Sequence, residues 1–284
     1  MSSTGIPFAK AHGLGNDFLL VEQGSIGSRA PGELAVCMCD RHSGAGADGL
    51  VVLGPSSTTD ASFRIYNADG SEAGLSGNAL RCAAAWLLSR STNPAERVAL
   101  DTRVGMRMLF FLKKLESAWM LRAEIGHPSF AAADVPFCPP KPAREPVVSY
   151  PLPVGDVTVS ATILFMGNPQ CILLVEDFES LDWMGLGADL ERHAYFPDRA
   201  NIGFVKVISA GHIEARFWER GAGHTLASGT GSCACAVAAH LSGKTGRRVR
   251  VALERGELEV NWRDDGMVEL TGPAVITFEG TFFL

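Results

Sequence analysis

Residues 66–78, YNADGSEAGLSGN, lead directly into an alanine-rich apolar segment that ends at Leu88. The glycines at positions 70, 74 and 77 prevent regular structure before that segment. The large apolar residues that follow have the spacing of a buried helix. The pattern therefore predicts a buried helix that begins next to Ser76.

The same arrangement recurs near the other end of the chain. Residues 218–231, WERGAGHTLASGTG, precede a second segment of small apolar residues that ends at Leu241, and Ser228 takes the place of Ser76. A helix N-terminus carries unpaired N–H groups and a partial positive charge. Two such termini, each starting at a hydroxyl, predict a small anionic ligand held between them.

Composition limits the class of protein. The chain has 284 residues, of which 46% are hydrophobic and 20% charged, as expected for a globular protein of two domains. A net charge of −6 argues against nucleic acid or an acidic membrane surface as a partner. The absence of a signal-like start and of a long apolar segment, together with an odd number of cysteines, predicts a cytoplasmic protein.

The order of apolar segments predicts a duplicated α/β fold of the α+β type. Each half has short strands enclosing one helix that begins at Ser-Gly, and prolines crowd the region between the halves. We expect an N-terminal lobe at 1–130, a proline-rich linker at 131–146 and a C-terminal lobe at 147–271. The last strand, at about 272–284, is expected to return to the first lobe.

Three local patterns have competing interpretations. Residues 12–17, HGLGND, interrupt the first strand and fit a bulge beside a ligand or a hairpin turn equally well. Residues 44–49 match a dinucleotide pattern, but they follow a helical segment and enter a strand, which is the wrong context. The closely spaced cysteines at 37/39 and 233/235 are typical of buried apolar packing, and no metal site is expected.

With these motifs in view, the chain resembles the diaminopimelate epimerases over nearly its whole length. The motifs that carry the resemblance appear in the order of that family: HGLGNDF (12–18), RHSGAGAD (41–48), NADGSE (67–72), SGN (76–78) with RC (81–82), GNP (167–169), ERGAG (219–223), SGTG (228–231) and LTGPA (270–274).

The resemblance implies a cofactor-independent isomerase that interconverts LL- and meso-diaminopimelate by two-base α-proton transfer. This reaction serves the biosynthesis of lysine and of peptidoglycan precursors. The resemblance also implies a homodimer whose subunits have two pseudo-symmetric lobes, each a curved, mainly antiparallel sheet around a central helix. No cofactor and no metal are implied.

The resemblance also assigns roles to individual positions. It places the catalytic acid and base at Ser76 and Ser228, and groups that adjust their pKa values at Gln170, Glu219 and His224. The residues that would bind substrate are Asn16, Asn67, Gly77, Asn78, Asn168, Asn201, Glu219, Arg220, Gly229 and Thr230. Helix N–H groups and arginine suit carboxylates, and asparagine and glutamate accept hydrogen bonds from an ammonium group.

The sequence departs from the family pattern at the chemical centre. The family carries cysteine at positions 76 and 228, histidine at 170, glutamate at 224 and glutamine at 49, where this chain has Ser76, Ser228, Gln170, His224 and Gly49. A helix N-terminus can lower a thiol pKa from about 8.5 toward neutrality, whereas an alcohol needs a separate base. The departure therefore bears directly on the chemistry.

Three functions therefore remain open. The chain is an epimerase that uses the two serines, a related amino-acid racemase or dehydratase, or a non-catalytic amino-acid-binding paralogue in which the serines only cap helices. A serine hydrolase is disfavoured, because residues 74–78, GLSGN, lack the last glycine of a nucleophile elbow and no triad partners can be assigned from chain order.

Overall fold

The computed structural model describes residues 5–92, 95–131, 133–141 and 143–283, and its fold is a sheet-dominated α/β arrangement in two lobes. The first compact unit comprises Met1–Glu124 and Thr271–Leu284, and the second comprises Ile125–Leu270. We call these units the first and the second lobe. The domain boundaries expected from the sequence stay a prediction.

The helices and strands before the proline-rich segment are β1 (Ile6–Gly13), β2 (Asn16–Glu22), α1 (Gln23–Ile26), α2 (Pro31–Cys39), β3 (Gly49–Gly54), β4 (Ala61–Asn67), β5 (Glu72–Ala73), α3 (Gly77–Ser89), β6 (Arg97–Thr102), β7 (Gly105–Lys114) and β8 (Trp119–Gly126). The remaining elements are β9 (Val147–Val154), β10 (Val157–Phe165), β11 (Pro169–Val175), α4 (Trp183–Glu191), β12 (Asn201–Ser209), β13 (His212–Glu219), β14 (Gly223–Thr225), α5 (Gly229–Leu241), β15 (Arg248–Leu253), β16 (Gly256–Trp262) and β17 (Val268–Phe282).

The two lobes repeat one strand topology. In the first lobe, β1–β2 is antiparallel, β2–β3 parallel, β3–β4 and β4–β5 antiparallel, β4–β6 parallel and β6–β7 antiparallel. In the second lobe, the pairs β10–β11, β11–β12, β12–β13, β13–β14, β13–β15 and β15–β16 follow the same series of directions. The mainly antiparallel, duplicated fold predicted from the sequence is therefore confirmed.

Each lobe is built around one helix of 13 residues, α3 in the first lobe and α5 in the second. Every residue of α5 from Gly229 to Ala239 is buried, and the helix packs against strands β10 to β13, β15 and β16. A helix that is apolar on all sides must be surrounded by protein. The alanine, glycine and cysteine side chains of α5 are small, which allows the strands to approach closely on every side.

A two-residue turn joins β1 to β2. Gly13 lies opposite Asn16 in the antiparallel register, and the intervening Leu14 and Gly15 have φ values of 53° and 91°. Positive φ at both central residues is what a tight hairpin turn of the primed type requires. The hairpin interpretation is therefore correct at this point, and the bulge interpretation is wrong.

The proline-rich segment 131–146 lies within the second unit of the structure. Val135 and Phe137 are buried there with Val147 and Leu152 in one apolar cluster. Prolines are tolerated in such a segment because they need no partner for a backbone N–H. Pro142, which the linker prediction includes, lies outside the described residues.

Two kinds of feature are absent from the described ranges. No helix there is long and apolar enough to cross a membrane. Nor do the described side chains form a group of three or more histidine, cysteine, aspartate or glutamate residues that could hold a metal ion.

Candidate active site

Ser228 caps the N-terminus of α5 and contacts a carboxylate. Its Oγ accepts a hydrogen bond from Gly231 N at 3.1 Å and donates one to Glu219 Oε1 at 2.7 Å. The backbone of Ser228 is held by the hydroxyl of Ser232, which donates to the carbonyl at 2.6 Å. The Ser228 hydroxyl thus lies at a helix N-terminus with a carboxylate in place to accept its proton, which is the arrangement an alcohol needs for nucleophilic or proton-transfer chemistry.

The register of the β13–β14 hairpin explains why Glu219 reaches Ser228. Side chains alternate between the two faces of a strand, so Phe217 and Glu219 point to the same face. The Phe217 ring lies on the α5 side, where a Cβ added to Gly231 would be 2.8 Å from it. The Glu219 side chain therefore lies on the face of β13 that α5 covers.

The same register places His224 on the other face of the sheet. His224 pairs with Trp218, which alternates with Glu219, and its Nε2 lies 2.6 Å from Glu254 Oε1. Its ring packs edge-on against Trp183 of α4, with 5.1 Å between ring centroids. The structure does not bring His224 to Ser228, so these contacts do not support the predicted role of His224 in adjusting the acidity of that hydroxyl.

Gln170 and Asn201 lie side by side on the parallel strands β11 and β12. Gln170 Nε2 donates to Asn168 Oδ1, while its Oε1 accepts no hydrogen bond from any described residue although the side chain is 1% exposed. An unpaired buried acceptor costs about 1–3 kcal/mol. This carbonyl is therefore a candidate acceptor for a hydrogen-bond donor on a ligand.

The turn after β13 is held from two sides. Asn201 Oδ1 accepts from Arg220 N at 2.8 Å, and Arg220 Nη1 donates to the carbonyl of Asp198 at 2.9 Å. Glu191 of α4, only 4% exposed, accepts from Gly221 N at 3.1 Å. Asn201 thus orients the backbone at Arg220, and Glu191 fixes the adjacent turn.

Glu191 is a residue that the sequence did not reveal, and its loss has a predictable cost. It also accepts from Trp218 Nε1 at 3.2 Å and pairs with Arg199 at 3.4 Å. Replacing Glu191 with alanine is expected to lower the free energy of unfolding by about 1–3 kcal/mol, because three partly exposed donors lose their buried acceptor. Urea denaturation measures this change, and Asp189→Ala on the exposed face of the same helix is the control. Equal destabilisation by both variants would contradict the assignment.

Ser76 is the equivalent cap in the first lobe, but it has a different neighbour. Its Oγ accepts from Ala79 N at 3.3 Å, and within the described residues this is its one side-chain hydrogen bond. Asn67 occupies the position that corresponds to Glu219, and its Nδ2 donates to Ser71 Oγ at 2.9 Å. The first lobe therefore supplies a helix-capping hydroxyl whose hydrogen bonds include no carboxylate.

The remaining predicted residues of the first lobe form one chain of hydrogen bonds. Asn16 Oδ1 accepts from Asn78 Nδ2 at 3.0 Å, and Asn78 Oδ1 accepts from Arg81 Nη2. Asn78 and Arg81 are fully buried, and Gly77 opens the helix that carries them. In the second lobe, Gly229 and Thr230 open α5 in the same way and are buried. Each lobe therefore presents the N-terminus of a buried helix, and in the first lobe the amide of Asn78 lies within its first turn.

The two sets of residues correspond at a constant spacing. Ser76 and Ser228 are 152 positions apart (228 − 76), and the same interval separates Asn67 from Glu219, Gly49 from Asn201 and Asn16 from Asn168. The residues were therefore duplicated together with the fold. One chemical difference between the two copies is the carboxylate of Glu219, which stands in the second lobe where the first has Asn67.

The buried thiols do not replace the missing cysteines. Cys82, one turn into α3, is fully buried, and burial raises its pKa to about 12. Burial also raises the pKa of Cys171 and of Cys235. Thiols with raised pKa values stay protonated near neutral pH and are poor bases.

Comparison with known proteins places this geometry in a family. The sequence model of the diaminopimelate epimerase family matches residues 8–122 and 162–277. A diaminopimelate epimerase of Pelotomaculum thermopropionicum is 42% identical over 277 residues, which cover 97% of this chain and 98% of that protein. A diaminopimelate epimerase of Gloeothece citriformis is 40% identical, with 98% and 99% of the two chains covered.

Solved structures share the fold at much lower identity. A hydroxyproline epimerase from Agrobacterium vitis superposes with a TM-score of 0.72 at 15% identity, covering 100% of this chain and 94% of that one. A phenazine biosynthesis protein of the PhzF family from Bacillus anthracis gives 0.68 at 15% identity, with 98% and 99% covered. The fold is thus that of the two-lobed α/β class to which these epimerase and PhzF structures belong. Within that class, the chain belongs to the diaminopimelate epimerase family.

Proposed function

We propose that this protein is an isomerase of the diaminopimelate epimerase type that moves the α-proton of the substrate without a cofactor. Membership of the family at about 40% identity over nearly the full length supports the reaction class. The observation that carries the proposal is the 2.7 Å hydrogen bond from Ser228 Oγ to Glu219. It provides the alcohol with the base that a thiol at this position would not need.

The proton transfers can be written for these residues. As Ser228 Oγ takes the α-proton, its own hydroxyl proton passes to the Glu219 carboxylate, and the electron pair of the broken C–H bond stays on the substrate as a carbanion. Ser76 then donates its hydroxyl proton to the carbanion and takes a proton from water, and Glu219 gives its proton to the hydroxide that this leaves, which restores the starting state. The N-terminus of α3 stabilises the oxygen of Ser76 while it is deprotonated. In the reverse direction Glu219 returns its proton through Ser228.

The substrate-binding roles are part of the same proposal. The helix N-termini at Gly77 with Asn78, and at Gly229 with Thr230, suit a carboxylate, as does the guanidinium of Arg220. The acceptors available for an ammonium group are the side chains of Asn16, Asn67, Asn168, Asn201, Glu219 and Gln170. Gln170 contributes most directly, because its buried carbonyl oxygen accepts no hydrogen bond from the described part of the chain.

An isotope experiment tests the reaction. LL-Diaminopimelate incubated with the protein in heavy water is expected to acquire deuterium at the α-carbon and to yield the meso isomer, both measured by NMR. The absence of deuterium from both stereoisomers would overturn the proposal. If another amino acid exchanges its α-proton and diaminopimelate does not, the chain is instead a related racemase. Formation of a double bond would identify a dehydratase.

A non-catalytic binder is the second candidate, and the capping hydrogen bonds of both serines favour it. Ser76→Ala and Ser228→Ala are each expected to lower the free energy of unfolding by about 1 kcal/mol, because each removes an N-cap. Under the isomerase proposal, deuterium exchange also falls sharply in Ser228→Ala while thermal denaturation shows only this modest loss. Unchanged exchange in Ser228→Ala would contradict the isomerase mechanism and favour the binder.

We further propose that the protein acts as a homodimer in the cytoplasm, in the biosynthesis of lysine and peptidoglycan precursors. The resemblance to the family supports each of these statements. Sedimentation equilibrium is expected to give twice the 30.2 kDa mass of the chain, and a monomer at micromolar concentration would contradict the dimer.

A further inference from the structure

A cluster of charged side chains lies next to Asn16 and has no part in the proposed proton transfer. It comprises Lys10, Asp17, Arg41 and Asp48, which we call the Asp48 cluster. Arg41 Nη2 lies 2.8 Å from Asp17 Oδ1 and 2.8 Å from Asp48 Oδ1, and Lys10 Nζ lies 3.0 Å from Asp17 Oδ2. Two cations thus balance two carboxylates, and both oxygens of Asp48 remain acceptors.

Asp48 holds Asn16 through its second oxygen. Asp48 Oδ2 accepts from Asn16 Nδ2 at 2.8 Å and from the backbone N of Asp17 at 3.0 Å. On its other side, Asn16 Oδ1 accepts from Asn78 Nδ2 at 3.0 Å, and Asn78 Oδ1 accepts from Arg81. The hydrogen bonds therefore run without interruption from a carboxylate, through two amides, to a guanidinium.

The two ends of this series determine the orientation of both amides. A carboxylate only accepts hydrogen bonds and a guanidinium only donates them, whereas an amide can rotate to exchange its donor and acceptor. Asp48 requires the NH₂ group of Asn16 on its side, so the oxygen of Asn16 must face Asn78. Removing the charge of Asp48 would remove that requirement, because an amide in its place can pair with either end of Asn16.

We propose that Asp48 is a positioning residue that fixes which atoms Asn16 and Asn78 present to the substrate. The inference rests on the proposed function only in naming diaminopimelate as the ligand. The Asp48 side chain is 40% exposed, so a neutral replacement is not expected to unfold the lobe. Asp101, whose side chain is 41% exposed and pairs with Arg64 at 3.4 Å, is a matched control in the same lobe.

A double-mutant cycle tests whether Asp48 acts through Asn16. Asp48→Asn is expected to raise the Kd and the KM for diaminopimelate about tenfold, because a charge-assisted hydrogen bond is lost, with kcat little changed. In the Asn16→Ala background the same substitution is expected to change neither constant. Asp101→Asn is expected to leave both at wild-type values. Effects of Asp48→Asn and Asn16→Ala that simply add would overturn the inference.

A second measurement does not depend on the ligand. In the ligand-free full chain, NMR is expected to show side-chain NH₂ protons of Asn16 and Asn78 that exchange with water at least about tenfold faster in Asp48→Asn than in wild type or Asp101→Asn. Unchanged exchange would overturn the positioning role. If exchange responds as expected but the wild-type protein binds no diaminopimelate, the proposed function fails and the positioning role stands.

Discussion

Replacement of both Ser76 and Ser228 with cysteine is expected to raise the rate of α-proton exchange by about 10²–10⁴-fold, the usual contribution of an acid–base group. A thiol has a pKa of about 8.5, which the N-termini of α3 and α5 can lower further, so that a thiolate is available near neutral pH. The hydroxyls of Ser76 and Ser228 in the unaltered chain are far weaker acids than a thiol. Deuterium incorporation into diaminopimelate measures the gain, and it should appear at neutral pH without any added cofactor.

The matched controls for this experiment lie at the other ends of the same helices. Ser89 is the last residue of α3 and Ser242 follows α5, and their hydroxyls donate to the carbonyls of Trp86 and Ala238. Cysteine at either position is at the negative end of the helix, where the dipole does not favour a thiolate. Ser89→Cys and Ser242→Cys should leave exchange unchanged. An equal gain in these controls would show that thiols act non-specifically.

Replacement of Glu219 with glutamine is expected to lower kcat about 10²–10⁴-fold in the otherwise unaltered chain. Glutamine keeps the shape of the side chain and can still accept the hydrogen bond from Ser228, but it cannot take up the hydroxyl proton. Stability should therefore change little, which thermal denaturation checks. The loss should be smaller when position 228 carries cysteine, because a thiolate depends less on a neighbouring base.

Glu214 provides the control for Glu219 on the same strand. It points to the opposite face of β13 and pairs with Arg216 at 2.6 Å. Glu214→Gln should leave kcat at the wild-type value. If Glu219→Gln retains full kcat, Glu219 is not the base of Ser228, and the mechanism written above is wrong.

The starts of the central helices are examples of structure that can be predicted from local sequence. Ser76 and Ser228 bind backbone N–H groups only three residues further along, at Ala79 and Gly231. A cap of this kind depends on a few consecutive residues, so glycine-rich turns followed by a small-residue helix suffice to predict it. The duplication can also be predicted from the sequence, because both halves of the chain carry the same series of segments.

Contacts between distant segments could not be predicted in the same way. The Glu191 carboxylate reaches a turn 30 residues away at Gly221, and Asp48 reaches Asn16 across 32 residues. No periodicity or motif in the sequence indicates that Glu191 is buried. Asp48 belongs to a motif shared with the family, but the motif alone does not show which side chain it holds. Both contacts arise from the packing of whole elements.

The sequence by itself determined the duplicated α/β fold, the two serine-capped helices and the family, because capping, strand alternation and motif order are properties of neighbouring residues. Only the tertiary structure decided that residues 12–17 form a hairpin, that Glu219 meets Ser228 and that His224 points to the other side of the sheet. The physical reason is register. A shift of one residue along a strand moves a side chain to the opposite face, and register is set by pairing with distant strands.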